Sequence, residues 1–260
     1  MTLAPAHQWL PPAGAIAYTT AVGLDPGIEW QMQPGEQTAL VALLAGLRPK
    51  VAIEIGSRYG GSMQVLSKYA ERVISVDIDP TCRERLGPRF PNAEFITGDS
   101  RQTFPPLMKR LEQEGAEVGF LLIDGDHTAA GVQADIRGLI GYRPKCPFFV
   151  VAHDSFNPPV RQGIRSAPWA DNQHVHAVEL DFVPGLLTLD PEAYREMWGG
   201  LALAVLLPTP RTGELTVTGR MEHQFRHLFK KSAHYKFDLP TLPGRVVSKC
   251  RKMVGLKAAP

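Results

Sequence analysis

The chain has 260 residues, 44% of them hydrophobic and 21% charged, with a formal net charge of +2. That is ordinary globular composition, long enough for one large α/β domain with a sizeable core, and too close to neutral for the whole molecule to be a polyanion binder. Three widely spaced cysteines, Cys82, Cys146 and Cys250, form no CxxC pair, which argues against a disulfide framework or a structural zinc site and for a reducing compartment.

Residues 1–12 lack a basic stretch followed by a long apolar run, and nothing approaches the roughly 20 apolar residues of a bilayer span, so a cytoplasmic protein is expected. Residues 1–34, rich in Pro and Gly, read as an irregular N-terminal segment with a short helix near 13–18. Leu40, Val41, Leu43, Leu44 and Leu47 give 35–47 a helical spacing that Arg48-Pro49 stops. Short apolar runs then recur at 51–55, 73–76, 94–97, 120–123 and 148–152, separated by helix-length pieces at 61–70, 81–90, 104–114 and 129–138. Pro105 and Pro106 fit the first turn of the third such helix. Almost wholly apolar strands alternating with helices indicate a parallel sheet covered on both faces. After Asp154 the pattern changes to a loop or helix through Pro158, Pro159 and Trp169, a strand at 177–182, a short helix at 191–198, a strand at 201–207 and an extended piece at 214–218. The domain is therefore placed at 35–219, between the N-terminal segment 1–34 and a tail at 220–260.

The sharpest motif joins the first strand to the helix after it: Glu54-Ile55-Gly56-Ser57-Arg58-Tyr59-Gly60-Gly61-Ser62. Glycine lets backbone approach a ligand and adopt positive φ, and open α/β sheets bind ligands outside the carboxyl ends of their strands. The spacing lacks the Gly-x-Gly-x-x-Gly of a dinucleotide fold. A carboxylate two positions before Gly56 suits a cationic ligand, such as the amino group of S-adenosylmethionine, contacted directly or through water. Asp77 ends the second strand 23 positions after Glu54, where an acid binds ribose hydroxyls. Asp99 and Ser100 end the third, where an Asp can meet an adenine amino group. Helix capping is the competing role for Asp77, Asp79 and Asp99.

Together, Glu54-x-Gly56 with Gly60-Gly61-Ser62, Asp77-x-Asp79-Pro80, Gly98-Asp99-Ser100 and Asp124-Gly125-Asp126-His127 resemble class I S-adenosylmethionine-dependent methyltransferases. More narrowly, they look like the branch with cephalosporin hydroxylase-like proteins and macrolide-sugar O-methyltransferases, over residues 28–160. The resemblance implies a Rossmann-like doubly wound sheet of about seven strands, order 3-2-1-4-5-7-6 with the last antiparallel. It implies methyl transfer to a hydroxyl of a sugar, glycan or polyhydroxylated secondary metabolite. A noncatalytic binding or scaffold protein on the same fold, or an RNA methyltransferase, are the competing readings.

The fourth and fifth strands end in Asp124-Gly125-Asp126-His127 and His153-Asp154-Ser155, neighbours in a parallel sheet. Asp124, Asp154 and His153 could converge on one divalent ion, with oxygen donors favouring Mg2+. His127 is the candidate general base, and Asp126 the expected cap of the following helix. Metal-dependent relatives carry an acidic pair or Asp-Asn where this chain has one acid, so a metal-free site using His127 or His153, oriented by Asp154, stays open. Asn157, Arg161 and Gln162, and Trp30, Gln31 and Gln33, are weaker candidates for pocket lining. His174 and His176 make a poor metal signal.

Ten of the basic residues lie after position 219, opposed only by Glu222 and Asp238, so the body before them is net acidic. Segments 222–237 and 246–256 are basic and amphipathic. A terminal helix docked on the body is the expectation, with peripheral contact to the inner face of the membrane as the alternative. No nucleic-acid partner is expected, and a homo-oligomer is not excluded.

Overall fold

The computed structural model describes residues 18–188 and 193–235. The short helix expected near 13–18 falls outside these residues except at Tyr18, which opens a helical turn over 18–21. Cys250 and the basic segment 246–256 lie outside them altogether.

From Pro34 the chain alternates as the apolar runs require: α1 (Pro34–Leu47), β1 (Val51–Ile55), α2 (Gly61–Tyr69), β2 (Arg72–Asp77), α3 (Cys82–Leu86), β3 (Ala93–Thr97), α4 (Ser100–Glu114), β4 (Val118–Ile123), α5 (Ala129–Arg137) and β5 (Phe148–His153). Then follow α6 (Pro158–Ser166), β6 (Val175–Val183), β7 (Leu186–Leu187), β8 (Met197–Trp198), β9 (Leu201–Leu206), β10 (Val217–Thr218) and α7 (Glu222–Lys231). The main sheet is eight-stranded, in the order β10-β6-β9-β5-β4-β1-β2-β3. Only β9 runs against the others, pairing antiparallel with both β5 and β6. This is the doubly wound order expected, with the extended piece after Pro208 added as a two-residue parallel edge strand on β6.

Strand alternation decides what each face touches. In β1, Val51, Ile53 and Ile55 enter the core under α4 and α5, whereas Ala52 enters the core under α1 and α2. Glu54 shares the face of Ala52 and therefore meets the start of α2. In β5, Phe148, Val150 and Ala152 face the first core and Val151 the second, so His153 is turned toward α1.

Four expectations are corrected. Pro105 and Pro106 lie inside α4, because Asp99 caps the helix at Ser100 by accepting from Arg101 N–H, four residues before the expected start. The helix expected over 81–90 shortens to α3, and residues 87–89 form turns. The helix expected over 191–198 is, in its described part, a turn followed by β8, which pairs with β7 as a separate ribbon. Asp126 does not cap α5: Thr128 Oγ1 accepts from Gly131 N–H at 3.0 Å, while Asp126 Oδ1 accepts from Thr128 N–H at 2.8 Å.

The helix expected at the start of the basic tail exists as α7, ending at Lys231 and docked on the body. Glu222 bridges Arg161, at 3.2 Å, and Arg165, while Phe225 meets Phe156 edge-on with ring centroids 5.3 Å apart. Beneath it, Arg161 donates twice to Asp181, at 2.7 and 3.2 Å, with both side chains buried. Among the described residues no helix is long and apolar enough to cross a membrane.

Candidate active site

The carboxyl ends of β1 to β5 open into one cavity of about 680 Å3, within the size range of small-molecule sites. Its edge is made by Gly56, Ser57, Asp77, Gly98, Asp99 and Ser100 on one side, and Asp124, His127, His153 and Asp154 on the other.

The loop after β1 is built from below. Glu54 is fully buried and accepts from Ser57 Oγ at 2.6 Å and from Ser62 Oγ. Burial pushes its carboxyl up to about 7, against the pull of those two hydroxyls. Glu54 does not line the cavity; it ties the two ends of the loop together. Gly56 has φ +90°, and a Cβ there would lie 2.2 Å from the Asp124 carbonyl oxygen, so only glycine closes the gap between the β1 and β4 ends. Asp77 accepts from Ser57 N–H at 2.8 Å and Arg58 N–H at 3.0 Å through one oxygen, and from Asp79 N–H at 2.8 Å through the other. It thus holds the loop and still faces the cavity. Asp99 faces the cavity while capping α4, and its bond to Arg101 holds its carboxyl below the usual range. Gly60 lies outside the lining and opens α2 at φ +90°; Gly61 and Ser62 line the cavity.

On the opposite side four groups meet. His127 Nε2 is 3.5 Å from Asp124 Oδ1 and 3.3 Å from Asp154 Oδ2. His153 Nδ1 is 2.9 Å from Asp124 Oδ1 and 3.5 Å from Asp154 Oδ2. The bond to Asp124 raises His127 above the ordinary histidine value, with Asp154 adding to it against partial burial. For His153 burial alone would lower the value, yet Asp124 and Asp154 carry it well above. Burial raises Asp154. One ligand atom each from Asp124, His127 and Asp154 lies within 4.8 Å of the others. His153, also expected among the ligands, faces the same two carboxylates through Nδ1 and reaches Glu36 Oε2 at 3.3 Å through Nε2.

A methyltransferase-domain family model matches residues 53–154, the segment holding every group just described except Glu36. Among solved structures, a Bacillus cereus O-methyltransferase in complex with SAH superposes with a TM-score of 0.48 at 17% identity, covering 76% of this chain and 93% of that one. Among curated proteins, rhamnosyl O-methyltransferase of Mycobacterium tuberculosis (strain H37Rv) is 27% identical over 186 residues, 68% of this chain and 72% of the relative. That of Mycobacterium leprae is 27% identical over 194 residues, 69% and 78% respectively. Residues 53–154 carry a methyltransferase domain, and the chain is similar to O-methyltransferases over 68–69% of its length.

In this methyltransferase the weaker sequence candidates divide. Trp30, Gln31 and Gln33 do line the cavity, while Asn157 and Arg161 are buried behind it and Gln162 is outside the lining. His174 Nδ1 and His176 Nε2 each meet a backbone carbonyl, of Leu207 and Thr209, so the pair makes no common site. Sequence reasoning missed Glu36. It is buried in the first turn of α1, accepts from Gln33 N–H at 2.6 Å and from Gly200 N–H, and meets His153. Its only local signal was a Glu at the third position of a helix, which reads as ordinary capping. Trp198 was also missed, because it was assigned to a helix.

Proposed function

We propose that the methyltransferase transfers a methyl group to a hydroxyl of a sugar, with His127 as the general base. The observation that carries this reading is His127 Nε2 standing 3.3 to 3.5 Å from two carboxylates on the rim opposite the glycine loop. The rhamnosyl acceptor in the names of its relatives supports a glycan or small glycoside as acceptor.

The cofactor fits what the structure offers: a glycine-rich loop whose Gly56 and Gly61 line the cavity, and acids at the end of β2 and just after β3. S-adenosylmethionine, when bound, supplies an electrophilic methyl on a sulfonium. Asp77 is placed to accept from ribose hydroxyls and Asp99 from the adenine amino group, while Glu54 holds the loop on which the methionine end rests. Catalysis is then largely positioning of the acceptor oxygen in line with the methyl carbon. With that methyl donor bound, His127 would accept the proton of the acceptor hydroxyl, and Asp124 and Asp154 would hold the resulting imidazolium.

The convergence of two carboxylates and an imidazole also suits a divalent ion such as Mg2+. Asp124 and Asp154 would hold it, and it would supply Lewis-acid lowering of a hydroxyl pKa.

The reading is tested by following S-adenosylhomocysteine release with p-nitrophenyl α-L-rhamnoside and matched phenols as acceptors. Turnover of the rhamnoside, reduced about 100-fold or more in His127→Ala, supports it. Turnover confined to phenols, or an undiminished His127→Ala enzyme, overturns it.

A further inference from the structure

The part of the cavity near His127 has a wall that neither the glycine loop nor the acids explain. β7 and β8 form a two-stranded ribbon apart from the main sheet, with Leu186 opposite Trp198 and Leu187 opposite Met197. Met197 is fully buried, and alternation turns its neighbour Trp198 the other way, where it lines the cavity half-buried. The Trp198 ring lies 5.7 Å from the His127 ring, edge-on at 69°.

Trp198 is also held still. Its indole N–H donates to Glu196 Oε2 at 3.0 Å, so it is not a free donor for a ligand, and the ring offers the cavity an apolar surface. The next residue, Gly199, has φ +73° and donates its N–H to Asp154 Oδ1 at 2.7 Å. A Cβ on Gly199 would fall 2.6 Å from Glu36 Oε1, and Gly200 N–H donates to Glu36. The indole is thereby tied through two backbone N–H groups to the carboxylates flanking the two histidines.

We propose that Trp198 is the acceptor platform: the C–H face of a pyranose ring lies against the indole while one ring hydroxyl reaches His127. This deepens, and rests on, the sugar O-methylation read for the same cavity. The cofactor-binding motifs occupy the ends of β1 to β3, so an acceptor must enter on the β4–β5 side, where any molecule presenting oxygen to His127 also meets the adjacent ring. A 6-deoxyhexose suits this wall, since its methyl group and ring C–H bonds give it an apolar patch. The platform requires a flat, rigid side chain rather than a charged one, and the immobilised indole costs little entropy on binding.

The test measures rhamnoside binding and turnover in the same samples. p-Nitrophenyl α-L-rhamnoside is added to the S-adenosylhomocysteine-loaded enzyme, and saturation transfer to the pyranose C–H protons is recorded for wild type, Trp198→Phe and Trp198→Ala. Unchanged S-adenosylhomocysteine affinity shows that each variant is folded. The expected result is a rhamnoside Kd about tenfold or more weaker in Trp198→Ala and a much smaller loss in Trp198→Phe, with KM following Kd in turnover. Rhamnoside bound equally well by wild type and Trp198→Ala overturns the platform. Trp198-dependent binding without methylation upholds the platform and removes the sugar O-methyltransferase reading. Absence of rhamnoside binding to the loaded wild type overturns the platform, and turnover of matched phenols by that same sample removes the sugar reading as well.

Discussion

His153 Nε2 lies 3.3 Å from Glu36 Oε2, joining the end of β5 to the first turn of a helix 117 positions earlier. The contact is needed because β5 turns His153 toward α1, where a lone buried imidazole would lack a partner on its far side. Glu36→Ala takes the carboxylate partner from three groups: His153 Nε2, Gln33 N–H and Gly200 N–H. A loss of about 3 kcal/mol is expected from the unsatisfied donors, with Glu36→Gln costing less because one acceptor oxygen remains. Urea unfolding of the two variants checks this; equal midpoints for Glu36→Ala and wild type would show that the contact is idle.

Asp77 and Glu54 make different predictions for cofactor affinity. Asp77 faces the cavity and also anchors Ser57 and Arg58, so Asp77→Ala removes the loop tether and, on the proposed reading, a ribose acceptor as well. Glu54 acts only from beneath, through Ser57 and Ser62. Calorimetry with S-adenosylhomocysteine should show affinity falling by about 100-fold for Asp77→Ala and about tenfold for Glu54→Gln, the isosteric change that keeps a hydrogen-bonding head. Unchanged affinity in both would mean that the cofactor binds elsewhere.

Docking of α7 should be acid-sensitive. Partial burial opposes ionisation of Glu222, but hydrogen bonds from Arg165, Arg226 and Arg161 outweigh it and lower the carboxyl from 4.5 to about 2. A depressed carboxyl contributes stability that is complete above the unfolded value and is lost as pH falls from about 4.5 toward about 2. Because Glu222 is about a quarter exposed, the contribution at neutral pH is discounted to roughly 1–3 kcal/mol. The difference in melting temperature between wild type and Glu222→Gln should be present at pH 7 and should shrink steadily from pH 4.5 to 3. A pH-independent difference would refute the linkage.

Chelation separates the two forms of the reaction centre. If Asp124 and Asp154 hold a divalent ion during turnover, EDTA dialysis should lower the rate about tenfold or more and Mg2+ should restore it. Asp154→Asn should then weaken the Mg2+ dependence itself, seen as a rightward shift of the activation curve. Full activity after dialysis would leave the work to His127 and its carboxylates alone.

The glycine-loop side of the cavity was readable in the sequence because its signals are local. Glu54, Gly56 and Ser62 act within one strand–loop–helix unit, and Asp77 and Asp99 end the two strands that follow. The sheet was readable for the same reason: runs such as Val51–Ile55 admit only a doubly covered strand. The other half depends on contacts that no local pattern encodes. Glu36 reads as a helix-start acid until Gly200 is brought to it across 164 positions. Trp198 sits in a piece short enough to pass for helix or strand, and the pairing with Leu186 decides it. Asp126 lost the cap to Thr128, a choice between two good capping residues two positions apart.

β9 is inserted between β5 and β6 although it follows both in the chain, and it brings the Gly199–Gly200 turn onto Asp154 and Glu36. On the ribosome, where domains form from the N-terminal end, residues 51–127 can close the cofactor loop early. The histidine–carboxylate rim cannot set until the segment after Trp198 has emerged. The residues of the glycine loop are thus all present in the nascent chain well before those of the opposite rim, an order imposed by topology alone.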